Sequence, residues 1–198
     1  MSRKLDVAAA EQAIAKFLEA LGYDLERPDL RGTPSRVVDA YTKDLLCGED
    51  VDLALLVERG SVPSEAQNLV VIRGISVATV CPHHLLPAQG EATVAYLPGD
   101  RVLGLGTMSH LVDACSRRLE IQEHIGEHVT SALIEFAGAR GAYCSLRLEH
   151  ACLRIRGARQ SGAAVQTVHL KGEFRDPARA AELALALGTS ERVGEVKP

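Results

Sequence analysis

Two rhythms of apolar residues divide the chain. Ile14, Phe17, Leu18 and Leu21 recur at the i, i+3, i+4, i+7 spacing of a helix face and predict a helix over residues 7–21. Asp6 can cap its start and Gly22 can end it. A second helix is predicted over 33–46, with Thr33 at the N-cap, Pro34 in the first turn, and Val37, Val38, Tyr41 and Leu45 as its apolar stripe. Residues 48–67 are polar and mixed and read as a linker.

Beyond the linker the pattern becomes β-branched and short-period. The runs 69-LVVI-72 and 75-ISVATV-80, broken by Gly74, read as strands, as does 91-EATVAYL-97, which turns through 98-PGD-100 into 101-RVLGL-105. Two helical segments follow. One spans 109–118, with Leu111, Val112 and Cys115; the other spans 122–137, with Ile125, Val129, Ala132, Leu133 and Phe136 on one face. In 142-AYCSLRLEHACLRIR-156 strand alternation puts Ala142, Cys144, Leu146 and Leu148 on one side, continuing into His150, Cys152, Arg154 and Arg156. A strand over 164–174 and a helix from Asp176 and Pro177 to Leu187 complete the chain. Strands, helices, then strands give an α+β class with an antiparallel sheet. The expected organisation is a helical arm and linker over 1–66 and a main body over 67–198.

Composition narrows the function classes. The chain has 198 residues, 46% hydrophobic and 24% charged, in the ordinary range of a soluble globular protein. A net charge of -4 gives no general attraction to nucleic acid or to an anionic membrane. No apolar run approaches the ~20 residues of a membrane span. Asp6, Glu11 and Lys16 interrupt any export-signal core. The absence of Trp and an aromatic content of 4% argue against single-strand base stacking. The five cysteines are odd in number and irregular in spacing, which suits a reducing cytoplasm.

The stretch 81-CPHHLLPAQG-90 holds the first residues that a plain core does not need. Cys81 and His84 have the Cys-x2-His spacing of a zinc half-site; the alternative is a buried cysteine beside a surface histidine pair. Cys152, downstream and beside His150, supplies a third donor. Three protein ligands and an open position are the pattern of catalytic zinc, whereas structural sites close with four. Zinc in such a site lowers the pKa of a bound water to roughly 7. His83 and His150 adjoin these donors and can carry protons near neutral pH, or serve as hydrogen-bonded structural histidines. Glu123, after Gln122, either complements a helix dipole or accepts two N–H bonds from an amidine-like edge such as that of guanine.

Taken together, Cys81-Pro82-His83-His84-Leu85, Tyr96-Leu97-Pro98, 102-VLGL-105, 116-SRRLEIQE-123, His150-Ala151-Cys152, Arg156-Gly157 and the earlier 33-TPSRVVDAY-41 resemble GTP cyclohydrolase I, from about residue 10 to 187. The resemblance implies a tunnelling fold: an antiparallel sheet with two helices on one face, preceded by a helical arm. It implies a homo-oligomer, a decamer of two stacked pentamers with sites between subunits. Position by position, it implies that Cys81, His84 and Cys152 bind Zn2+, that His83 and His150 handle protons, that Glu123 holds the guanine edge with Gln122 close by, and that Arg36 and Arg156 face the phosphate or ribose end. The implied reaction opens the imidazole ring of GTP at C8, releases formate and gives 7,8-dihydroneopterin triphosphate, a step towards pterins and tetrahydrofolate.

The chain departs from that family at defined places. Gly106, Thr107 and His110 stand where the family has Ser, Lys and Arg, and Asp39 stands where a basic residue is common. Triphosphate calls for Arg or Lys partners; Arg154, Arg159 and Lys171 are candidate substitutes. Pro82 replaces the usual Glu and stiffens the turn. These substitutions leave a second reading open: a diverged homologue that opens the ring of a guanine-like base, nucleoside or monophosphate. A related tunnelling-fold enzyme that reduces a nitrile with NADPH lacks the Cys81, His84 and Cys152 set. A zinc-stabilised ring or binding scaffold without turnover is the remaining reading.

Overall fold

The structure is a computed structural model and describes residues 4–188. The outermost ends of the expected arm and body, residues 1–3 and 189–198, lie outside the described residues.

Helix α1 spans Val7–Ala20, capped by the Asp6 carboxylate, which accepts from the Ala9 N–H at 2.9 Å. Helix α2, Thr33–Asp39, runs on into a π-type turn over Ala40–Leu45. Its N-cap is Gly32, not Thr33, whose hydroxyl accepts from the Arg36 guanidinium at 2.9 Å. The apolar stripe of α1 is only partly covered: Ile14 and Leu18 are half-buried, Phe17 and Leu21 are exposed, and no residue of α1 is fully buried.

Residues 48–67 are not a linker. They hold most of a 3-10 turn, Cys47–Asp50, then helix α3, Leu53–Arg59, and strand β1, Ser61–Pro63. Asp52 caps α3 through the Leu55 N–H at 3.0 Å. Leu53, Leu56 and the fully buried Val57 point into the main core, so the mixed composition belongs to a half-covered helix.

The body is a four-stranded antiparallel sheet in the order β2-β3-β5-β6: β2 (Val70–Val80), β3 (Pro87–Leu97), β5 (Gly141–His150) and β6 (Val165–Gly172). A short β4, Arg101–Leu103, pairs with β1 outside it. The two runs flanking Gly74 form one strand, whose register shifts between Ile72 and Ile75. Gly74 has φ +67, which a side chain rarely adopts, and absorbs the shift as a bulge.

Helices α4 (Leu105–Ser116) and α5 (Gln122–Glu135) cover one face of the sheet. Ala142, Cys144, Leu146 and Leu148 of β5 are fully buried there against Met108, Leu111, Ile125, Val129 and Leu133, as the alternation predicts. Phe136 sits at the C-cap of α5 and is exposed. On the other face a smaller cluster of Ala95, Leu97, Tyr143 and Phe174 packs under Leu183 of helix α7, Pro177–Leu187, which is capped by Asp176. No helix among the described residues is long and apolar enough to cross a membrane.

Helix α5 approaches β6 closely at Gly126, where an added Cβ would stand 2.4 Å from the His169 ring. Alanine normally favours a helix by about 1 kcal/mol over glycine. Here overpacking outweighs that gain, and Gly126→Ala is expected to destabilise the protein by roughly 1–2 kcal/mol net. The shift in denaturant midpoint measures it.

Candidate metal centre and adjoining cavity

Strand β2 ends at Val80, so Cys81 begins the six-residue connection to β3. That connection is closed by two backbone hydrogen bonds, Leu85 N–H to Cys81 O at 2.9 Å and Cys81 N–H to Leu86 O at 3.0 Å. Strand β5 ends at His150, and one helical turn, α6, follows over Ala151–Arg154. The pairing of Ala88 with His150 brings the start of β3 beside the end of β5. Residues far apart in the chain therefore meet at one end of the sheet. An isolated bridge between Val80 and Leu119 draws the approach to α5 to the same place.

The expected continuation of β5 through Arg156 does not occur. Cys152 is presented by the α6 turn, while Arg154 turns away to Glu149 and to the Ser161 carbonyl. His150 and Cys152 still share one cavity, but not by strand alternation.

One ligand atom from each of Cys81, His84 and Cys152 lies within 4.8 Å of the others. Donors around tetrahedral zinc, with bonds of about 2.0–2.3 Å, stand roughly 3.3–3.8 Å apart, so modest side-chain adjustment closes the set. Burial, then the neighbouring Cys81 thiol, pushes the Cys152 thiol above its ordinary pKa, while the Arg156 charge acts weakly the other way. Two thiols crowded together in this way suit a shared cation, which favours the thiolate form of both. His84 is exposed while both cysteines are half-buried, so the donor set is open on one side.

The adjoining cavity, about 290 Å³, is lined by Thr79, Cys81, His83, Glu123, His150 and Cys152 among others. His83 Nδ1 lies 3.7 Å from Cys81 Sγ. His150 is fixed by Gln122. The Gln122 amide nitrogen donates to the carbonyls of Leu146 and Val165 and to Thr167 Oγ1, at 3.2, 3.0 and 3.3 Å. Its Oε1 therefore faces His150 and accepts from Nε2–H at 2.8 Å. A neutral imidazole so held carries its lone pair on Nδ1. Burial lowers the His150 pKa, and Glu123 partly opposes this. A larger hollow of about 620 Å³ beside Gly74, Gln89, Glu91 and Arg147 has no cysteine or histidine in its lining.

The structure thus gathers Cys81, His83, His84, Glu123, His150 and Cys152, with Gln122 buried behind them. It does not bring Arg36 or Arg156 to the cavity wall of the single chain. Arg36 bonds to the Arg31 carbonyl and Thr33, and Arg156 is exposed. Sequence reasoning missed Thr79 and Glu120, which also line the cavity. Strand alternation, which sends Thr79 and Cys81 to one side, is the signal for the first. Glu120 is held by His124 Nδ1 at 2.8 Å, a pair at helical spacing.

Comparison with known proteins gives a consistent picture. The family described as GTP cyclohydrolase I matches residues 10–187. A GTP cyclohydrolase 1 of Leifsonia xyli subsp. xyli is 42% identical over 92% of this chain and 96% of its own length. That of Chromobacterium violaceum is 39% identical over 90% and 86%, and that of Bifidobacterium longum 36% over 89% and 88%. A solved structure, archaeosine synthase QueF-Like in the apo form, is 18% identical, with a TM-score of 0.46 over 55% of this chain and 97% of that one.

Proposed function

The chain belongs to the GTP cyclohydrolase I family, and from that premise we propose that it opens the imidazole ring of GTP at C8, releasing formate and forming 7,8-dihydroneopterin triphosphate. The observation that carries this reading is the convergence of Cys81, His84 and Cys152 beside a cavity that also presents His83, His150 and Glu123. Cys81, His84 and Cys152 would hold Zn2+, which supplies a Lewis acid and a water acidified to roughly pKa 7.

The other roles belong to the chain's own side chains. Glu123, at the start of α5, accepts the N1–H and 2-amino group of guanine and sets which edge of the base enters. His83 and His150 move protons as the ring opens, formate leaves, the ribose rearranges and the new ring closes. Gln122 keeps His150 in one tautomer and orientation. The placement of Arg36 and Arg156 away from the single-chain cavity agrees with sites completed between subunits, where these cations meet the substrate's tail. Among the described residues no further strand pairs with the outer edges of β2 and β6, save the bridge at Val80, and in this reading those edges join subunits into a ring. In this reading the arm over 1–66 serves subunit contacts and 67–198 carries the chemistry, with α3 and β1 packed onto the latter. The cytoplasm, with its GTP and its reducing thiol pool, is the compartment that suits both substrate and metal donors.

Incubation of the purified protein with GTP tests the reaction. Formate and dihydroneopterin triphosphate in equal amounts are the expected products. Glu123→Ala is expected to lower kcat/KM for GTP by about 30-fold, the effect of removing roughly 2 kcal/mol of charged hydrogen bonding. Its zinc content should remain that of the unaltered protein; zinc loss would assign Glu123 to the metal centre instead.

A second reading, a guanine-like substrate with fewer phosphates, is favoured by one set of observations. Thr107 donates its hydroxyl to the Gly60 carbonyl at 3.2 Å, and Asp39 pairs with Lys43 at 2.8 Å. Two candidate substitute cations are engaged as well, Arg154 by Glu149 and Lys171 by Glu127 and Ser131. Inertness toward GTP with turnover of guanosine or its monophosphate selects this reading over the first.

A further inference from the structure

The loop that carries Cys81 and His84 contains an unusual backbone. Leu85 has φ +53, in the left-handed region that side chains disfavour, yet it immediately follows His84. The conformation reverses the chain so that His84 faces back to Cys81 while Leu86 leads on to β3 at Pro87. Leu85 is also half exposed, so side-chain burial contributes little to holding it.

Tyr41 reaches this point from the arm. Its hydroxyl donates to the Leu85 carbonyl at 2.6 Å, across 44 residues of sequence. Tyr41 lies in the π-type turn over Ala40–Leu45, and its own carbonyl accepts the turn's closing bond from the Leu46 N–H at 2.9 Å. The side chain is therefore aimed by a local widening of the helix, a feature often found where a helix serves a site. One end of the phenol is fixed to the arm; the other holds the strained residue beside a metal donor.

We infer that Tyr41 is a positioning residue for the metal centre, clamping Leu85 in its left-handed turn so that His84 is held towards Cys81 and Cys152. The inference rests on the reading of those three residues as zinc ligands. Groups that orient a metal ligand without touching the metal typically change metal affinity by about 10–100-fold when removed. The Tyr41 bond is partly exposed, so the lower end applies.

The test is zinc release to an excess of chelator, followed in the full-length protein and in Tyr41→Phe, which keeps the ring and loses only the hydroxyl. Release is expected to be about 10-fold faster in Tyr41→Phe, with an unchanged far-UV circular dichroism spectrum. Leu85→Gly supplies the discriminating background, because glycine adopts positive φ without steric penalty. If the clamp acts by holding that turn, Tyr41→Phe changes release by less than about 3-fold when combined with Leu85→Gly. Equal release from Tyr41→Phe and the unaltered protein overturns the inference. So does an undiminished effect in the Leu85→Gly background, which places the role of the hydroxyl elsewhere. An unaltered protein that binds no zinc instead removes the metal-site reading on which the inference stands, and is seen before any variant is made.

Discussion

Cys152→Ser is expected to lose zinc and turnover together. Serine keeps the size of the side chain, but its hydroxyl does not ionise near neutral pH and is a poor zinc ligand beside a thiolate. Among the described residues three donors converge and no fourth joins them to compensate. Orienting groups alone change metal affinity by up to about 100-fold, so removal of a ligand sets that as the lower bound for the loss. Metal content per chain after gel filtration, measured beside formate release, checks both halves. A variant that retains one zinc per chain contradicts the assignment of Cys152 as a ligand, whatever its activity.

His83→Ala is expected to separate what Cys152→Ser joins. His83 borders the cavity and approaches Cys81 Sγ through Nδ1, but is not one of the three converging donors. Zinc content should be unchanged while the rate of formate release falls by about 10²–10⁴-fold, the usual range for a proton-transfer group. Unchanged turnover would remove His83 from the chemistry. Zinc loss would place it in the metal centre. The comparison also tests the non-catalytic reading, since a binding scaffold has no rate for His83 to support.

Much of the architecture is legible in the sequence because long elements repeat their signal. Helix α5 shows Ile125, Val129, Ala132 and Leu133 on one face, and all four are buried. The apolar side of β5 follows period two through Leu148. Short elements carry too few repeats. Helix α3 has seven residues and β1 has three, so the segment that contains them reads as a linker although Val57 is fully buried. The turn after His150 is missed for a different reason. Residues two apart fall on one side of a strand, and a cavity at a strand end can collect the same two residues from a helical turn.

The site divides along a similar line. The clustering of Cys81, His84 and Cys152 is legible because cysteine and histidine are rare residue types and the Cys-x2-His spacing is restricted. The role of Gln122 is not, because its amide is held by the carbonyls of Leu146 and Val165, and every residue offers a carbonyl. Tyr41 is hidden in the same way behind the carbonyl of Leu85. Thr107 illustrates the converse. Its substitution is visible in the sequence, but its hydrogen bond to Gly60 shows that the position now joins α4 to the end of α3.

The pairing of Ala88 with His150 also orders events in time. Before β3 and β5 align, the nascent chain offers a Cys-x2-His pair alone, with Cys152 on a segment still to be synthesised or still diffusing. Closing that long loop has an entropic cost that metal binding cannot recover until the strands have met. Tight zinc capture at the proposed site would thus be a late event, after sheet formation. None of the three donors belongs to the main hydrophobic cluster, so in the proposed reading that core closes without the ion. Zinc at the proposed site would arrive at a scaffold whose hydrophobic interior is already closed, and zinc shortage would leave folded but unmetallated chains.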